Sequence, residues 1–237
     1  NPAIRIEKEK IDIPLPKNIF TERKNSSGFD LSESSNLENL EKSISTHKKN
    51  KINAESIYVN RNEKENVGQK VYSIANNEEI GTVIFDDPIN VKSVLENFAS
   101  EKWSKYSVQE RSQILIKISD DIEKDPSELI FYLLNEAGKT IQNAIDEIRE
   151  AIDFLRYYSR QIIEIHGKKS LQGPTGEINK ISYSPKGNYL CISPWNFPVA
   201  ILIGQISAAL ACGNNVVVKP SEDRKSTRLN SSHLVIS

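Results

Sequence analysis

Residues 185–222, PKGNYLCISPWNFPVAILIGQISAALACGNNVVVKPSE, restrict what this chain can fold into more than any other stretch. They read as strand, sharp turn, buried helix, tight turn and strand, closing on a lysine. Residues 189–193 are apolar enough for a short strand, and Pro194 ends it because proline has no N–H for a ladder. Trp195, Asn196 and Phe197 form the turn. Pro198 suits the first turn of a helix, where a missing donor costs nothing. From Val199 to Cys212 the chain is apolar nearly all round, which predicts a helix buried on more than one side. Gly213-Asn214-Asn215 stops it, and the β-branched run 216–218 reads as a strand buried on both faces. Strand, crossover helix and strand make a parallel βαβ unit. Open parallel sheets bind ligands beyond the carboxyl ends of their strands. Both Asn196 and Lys219 fall just past such an end.

PWNFP, a small-residue helix, GN, an apolar strand and KPSE, in that order, resemble the aldehyde dehydrogenase superfamily. The fold class this implies is α/β: an amino-terminal helical region and part of an open, parallel, Rossmann-like cofactor-binding sheet. The resemblance implies that Asn196 donates its side-chain amide to the oxyanion formed when a cysteine attacks an aldehyde. The physics agrees, because a fixed amide N–H aimed at developing negative charge is an oxyanion-hole donor. It implies further that Lys219 and Glu222 hold the adenosine ribose of NAD. Ile192, Ser193, Trp195 and Ser221 would line the same groove, and Phe197 would wall the aldehyde's path. Taken singly, Asn196 reads as a turn cap and Lys219 as a surface lysine; the ordered string carries the resemblance.

The 237 residues suffice for one large core or two modest domains. Lys and Arg number 31 against 32 for Asp and Glu, which gives no electrostatic reason for a nucleic-acid or membrane partner. The longest apolar run, around Val199, is too short to span a bilayer and contains Gln205. Cys191 and Cys212 both sit in apolar runs and are expected as buried thiols, not as a disulfide. His47, His166 and His233 lack ligand spacing, so no metal site is expected. No signal peptide opens the chain, and a cytoplasmic location is expected. A chain that starts Asn1-Pro2 and has no methionine reads as a fragment or a processed product.

Residues 1–55 are polar, with prolines that extend IDIPLP, and are expected as a linker lying over a surface. The string IPLPKNIF…RKNSSGFDLS resembles the connector of bifunctional proline utilization A proteins. That implies a flavin-bearing proline dehydrogenase domain upstream. His47-Lys48-Lys49 reads as a solvated patch. Residues 56–222 are then the amino-terminal part of the NAD-binding domain. Within them, 71–75 and 81–85 predict a hairpin around Asn76-Asn77. Pro88 starts a helix with Val91, Val94, Leu95 and Phe98 on one face, ending near Trp103. Ser107 and Glu110 make a capping box that opens a helix with Ile114, Leu115, Ile118 and Ile122 inward. Asp125 caps the next helix, with Pro126 at its first position. Gly138-Lys139-Thr140 is not a phosphate loop, since Leu133 stands where that loop needs a glycine. Gly138 instead suits a helix C′ position.

A long helix follows from about Thr140 to Ile165, with Ile141, Ile145, Ile148, Ile152, Leu155 and Ile162 facing the core. Glu147, Arg149, Glu150 and Arg156 are expected on its opposite face. DEIREAIDFLRYYS resembles the helix that edges the substrate pocket in the narrower family. Glu150 is therefore the candidate partner for the ammonium group of an amino-acid aldehyde, beside the plainer role of an exposed salt bridge. Residues 166–184 read as a turn-rich crossing before a strand at Ile181. After Glu222, DRKSTRLNSSHLVIS departs from the family pattern and resembles a translated adapter tail, so 223–237 are expected to be non-native.

The resemblance implies NAD-dependent oxidation of L-glutamate γ-semialdehyde, the open form of pyrroline-5-carboxylate, to L-glutamate in proline catabolism. A homo-oligomer is expected at full length. A cysteine thiolate attacks the aldehyde, and a glutamate is general base for the water that frees the product. In the family both lie downstream of PWNFP, and neither Cys191 nor Cys212 matches the nucleophile. The chain alone is therefore expected to be inactive. Two alternatives stay open. One is a different aldehyde dehydrogenase, opposed by the leading segment and the DFLRYY helix. The other is a non-catalytic helical scaffold or interaction fragment, which would ignore NAD.

Overall fold

In the computed structural model, which describes residues 13–55, 68–85, 103–167 and 170–221, the polar leading segment carries regular structure. It contains helix α1 (Ser34–Thr46) and strand β1 (Ile52–Ala54). Leu40 of α1 is buried, and Leu31 and Ile44 pack beside it on the main core. Strands β2 (Gln69–Tyr72) and β3 (Glu79–Val83) form an antiparallel hairpin, and β1 adds to the other edge of β3 in parallel. The strands lie two residues earlier than the pattern 71–75 and 81–85 suggests. Beyond Tyr72 the chain leaves the ladder for a helix end: the Ile74 N–H donates to the Asn135 carbonyl at 2.7 Å, and the Ser73 hydroxyl to Asn135 Oδ1 at 3.0 Å. Asn77 then turns the chain with a left-handed φ of 58°. The helix expected from Pro88 lies outside the described residues, as do Glu222 and the stretch 223–237.

Helix α2 (Val108–Lys124) starts at the Ser107–Glu110 capping box, with both reciprocal bonds formed. Helix α3 (Ser127–Asn135) begins one residue later than expected, so its N-cap is Pro126, which has no side-chain acceptor, and not Asp125; Asp125 just ahead of it accepts from the Ser127 N–H at 3.2 Å and hydroxyl at 2.6 Å. Past α3, Gly138 adopts a φ of 65°, the backbone that a side chain would strain. Thr140 caps helix α4 (Ile141–His166), accepting from the Asn143 N–H. Ile145, Ile148, Ile152, Leu155 and Ile162 of α4 are buried with Leu115, Ile130, Leu133 and Leu202 in one core, and Ile141 packs against it half-buried. Each such side chain contributes about 1.5–3 kcal/mol by leaving water. Two charged residues break the expected pattern: Glu147 and Arg156 are buried, not solvated. Glu147 lies three residues after Ala144 and four before Ala151, both fully buried, so it falls on the core stripe.

Strands β4 (Ser170–Leu171) and β5 (Asn179–Lys180) form a small antiparallel pair, and Ile181 lies just beyond it, exposed. Then comes the βαβ unit: β6 (Asn188–Ile192), α5 (Ala200–Ala211) and β7 (Asn215–Lys219). β6 and β7 pair in parallel, with Asn188 opposite Asn215 and Ile192 opposite Lys219. Helix α5 packs along α4, and α4 along α2. Val216 and Val218 face the core, but the three valines of β7 are only half-buried, not covered on both faces. Side chains alternate along a strand, and the face away from the helices carries Leu190 and Ile192, which are 61% and 52% exposed. Both cysteines are free thiols; Cys191 is buried as expected, whereas Cys212, also expected buried, is exposed at the end of α5, where the chain turns at the left-handed Gly213 (φ 83°). Among the described residues no helix is long and apolar enough to cross a membrane, and no cluster of His, Cys, Asp or Glu could hold a metal ion.

Candidate active site

The turn after β6 is rooted at both ends. The Ser193 N–H donates to the Lys219 carbonyl at 3.1 Å, one step beyond the strand ladder. The Ser193 hydroxyl donates to the carbonyls of Pro194 and Pro198 at 3.1 and 3.4 Å, closing the turn on itself. Pro198 and Val199 are buried, while Trp195, Asn196 and Phe197 are exposed. Three side chains are thus displayed from an anchored loop at the carboxyl end of a parallel strand.

Helix α5 begins with Val199 at its N-cap, a residue with no side-chain acceptor. Glu147 supplies one from α4. Its Oε1 accepts from the Val199 N–H at 2.7 Å and the Ala200 N–H at 3.3 Å. Its Oε2 lies 2.6 Å from Lys139 Nζ, and that ammonium sits 4.3 Å from the centre of the Phe197 ring. At the other end of α5 the Trp103 indole N–H donates to the Leu210 carbonyl at 2.9 Å and Arg111 Nε to the Ala211 carbonyl at 3.1 Å. Arg111 also donates to the Tyr106 carbonyl. An anion at the amino end and a cation at the carboxyl end both complement the helix dipole. Asn214 fastens the mouth of the unit: its Oδ1 accepts from the Lys186 and Gly187 N–H groups, and its Nδ2 donates to the Ala209 carbonyl.

Of the residues singled out from the sequence, Ile192, Ser193 and Lys219 meet at the joined strand ends, with Trp195, Asn196 and Phe197 following directly. Ser221 is half-buried two residues past Lys219. Glu150 is exposed one turn along α4 from Glu147, and among the described residues it has no ion-pair partner; Arg149 leans to Asp146 instead, at 3.9 Å. Burial pushes the Cys191 thiol above its ordinary pKa; Cys212, although exposed, is partly shielded from water by the protein around the end of α5, which raises it too, with Arg111 pulling the other way. Neither is poised as a thiolate. Lys139 and Glu147 are the residues that pattern reading missed. The flanking alanines at 144 and 151 were the signal that position 147 faces inward.

The Aldehyde dehydrogenase family model matches residues 58–235, a span that takes in most of the stretch after Glu222. The bifunctional protein PutA of Salmonella typhimurium is 35% identical over 217 residues, covering 89% of this chain and 15% of the relative. A 1-pyrroline-5-carboxylate dehydrogenase of Halalkalibacterium halodurans is 41% identical over 123 residues, covering 52% of this chain and 24% of the relative. This chain therefore spans only a small part of the relatives' length. Among solved structures, proline utilization A from Bdellovibrio bacteriovorus, inactivated by N-propargylglycine, superposes with a TM-score of 0.81 at 27% identity, covering 94% of this chain and 23% of that one. The 1-pyrroline-5-carboxylate dehydrogenase from Thermus with bound NAD gives 0.73 at 26% identity, covering 85% and 40%. By a family match over most of its length, and with the anchored turn and parallel strand pair in place, the chain belongs to the aldehyde dehydrogenase family.

Proposed function

We propose that this chain is part of an enzyme that oxidises L-glutamate γ-semialdehyde to L-glutamate with NAD in proline catabolism. The observation that carries the reading is the anchored turn 194–198, which presents Asn196 beside the joined ends of β6 and β7. The names of the relatives, PutA and 1-pyrroline-5-carboxylate dehydrogenase, support the substrate. The open face of the strand pair fits a dinucleotide, with exposed Ile192 and Leu190 as an apolar strip and Lys219 at its carboxyl edge. On this reading Ile192, Ser193, Trp195, Lys219, Ser221 and Glu222 hold NAD, which supplies the two-electron acceptor when bound. Asn196 donates its amide N–H to the oxygen that gains negative charge as the aldehyde carbon is attacked. Phe197 walls the aldehyde's path, and Glu150 meets the substrate's ammonium group.

Residues 1–55 join a flavin-bearing proline dehydrogenase domain to this one; the identity to PutA across 89% of the chain supports that arrangement. Residues 56–222 form the amino-terminal part of the NAD-binding domain, and 223–237 are a tail foreign to it in sequence. The full protein works as a homo-oligomer in the cytoplasm, where the two free thiols stay reduced. The nucleophilic cysteine and the general base come from elsewhere in the full protein, because neither thiol here is activated. The test is NADH formation from semialdehyde and NAD. The full-length protein turns over, the 237-residue chain alone does not, and Asn196→Ala in the full-length protein lowers kcat by about 10²–10³-fold. Turnover by the isolated chain, or an unchanged kcat in Asn196→Ala, rejects the reading.

A further inference from the structure

The amides that open α5 are satisfied by nothing in the turn itself. Val199 offers no side-chain oxygen, and the first N–H groups of a helix have no intrahelical partner. Their acceptor comes from 52 residues away in sequence. The Glu147 side chain is 0% exposed, and a carboxylate so placed needs charge and hydrogen bonds to compensate for lost water. It has two amide N–H groups and the Lys139 ammonium. A serine, threonine or aspartate at 199 would cap amides further into the helix, at 201 or 202, and would leave those of 199 and 200 without an acceptor. Such a local cap would not tie the turn to α4 or to the junction at Gly138.

Resting on the reading of Asn196 as oxyanion donor, we infer that Glu147 and Lys139 are a positioning pair for that residue. Glu147 holds the turn from its carboxyl side, through the Val199 and Ala200 amides. Lys139 holds it at the Phe197 ring, the neighbour of Asn196. Asn196 is thereby held between Lys139, which touches its neighbour Phe197, and Glu147 of α4, which fastens the chain at Val199 three residues on. Geometry of this kind matters because a shift of about 1 Å in a reacting group can cost about 10²-fold in rate.

The test uses the full-length protein with Glu147→Gln, Lys139→Met, the double variant, and Glu164→Gln as a control at an exposed pair. Glu147→Gln keeps the shape and one acceptor oxygen but strands the ammonium of Lys139. Expected is a kcat about 10²-fold lower with the KM for aldehyde little changed. The double variant should recover much of the loss, since it strands no charge, and Glu164→Gln should match wild type. A wild-type kcat in Glu147→Gln, or a double variant no better than the worse single one, overturns the inference. Wild-type protein without turnover would instead reject the functional reading. Amide hydrogen exchange in the 237-residue chain then decides on the pair by itself. Selective acceleration at Val199 and Ala200 in Glu147→Gln supports it; unchanged exchange there, or equal acceleration across α2 and α4, refutes it.

Discussion

Helix α4 carries two polar clusters that differ in their access to water. In the first, the Lys139 and Glu147 side chains are 13% and 0% exposed, and they hold the turn that bears Asn196. In the second, Arg156 is 3% exposed but its partners Asp120 and Glu123 are 52% and 19% exposed. This second cluster holds the leading segment. Lys24 reaches Glu123 at 2.9 Å, the Ser27 N–H donates to Glu123 at 2.8 Å, and Ser26 donates both its N–H and its hydroxyl to Asp153 at 2.8 Å. The difference is one of dependence. In a dry pair water cannot stand in for a lost partner, whereas in a wet network it can.

That contrast breaks most readily at Glu147. Glu147→Ala leaves Lys139 buried and two amides without an acceptor, and should cost about 3–5 kcal/mol in urea unfolding. Arg156→Ala should cost less, about 2 kcal/mol, because Asp120 and Glu123 can turn to solvent. Equal losses would erase the distinction between the clusters. Acid separates them next. Burial alone would raise the Glu123 carboxyl, but Arg156, the Ser27 N–H and Lys24 outweigh it and draw the pKa from 4.5 to about 2. Its stabilisation is therefore complete above the ordinary carboxylate range and is lost as pH falls through about 2. Exchange of the Ser27 amide should quicken along that limb, and Glu123→Gln should flatten it. Ser26→Ala removes one hydroxyl bond to Asp153 and should cost about 1 kcal/mol. Arg160→Ala, at an exposed i,i+4 pair with Glu164, should change stability by no more than about 0.5 kcal/mol.

What was legible in the sequence follows the range of the interactions involved. The elements of the βαβ unit, the capping box at Ser107 and the isoleucine stripe of α4 are each signalled by residues within a few positions of one another, and all are present within a residue or two. Strand β1 was not legible, because three residues carry no period and their partner is β3, whose Gly81 faces Ile52. Glu147 and Arg156 misled by type. A charge is assigned to solvent by default, and only the distant amides of Val199 and Ala200, or the carboxylates of α2, reveal why these two are inside. Within the candidate site the residues of the turn were readable as an ordered string, whereas the pair that holds the turn was not.

The Asn214 clasp bears on the order in which the molecule assembles. Pairing β6 with β7 closes a loop of 27 residues, from Asn188 to Asn215, and the clasp joins Gly187 to Asn214 at its mouth over the same separation. Docking Ser26 on Asp153 closes a separation of 127. That is a little over two doublings in length, about 1.3 kcal/mol of additional closure entropy. Closing the strand pair therefore costs the chain less freedom than docking the leading segment does, which favours a βαβ unit that knits from contacts nearer in sequence.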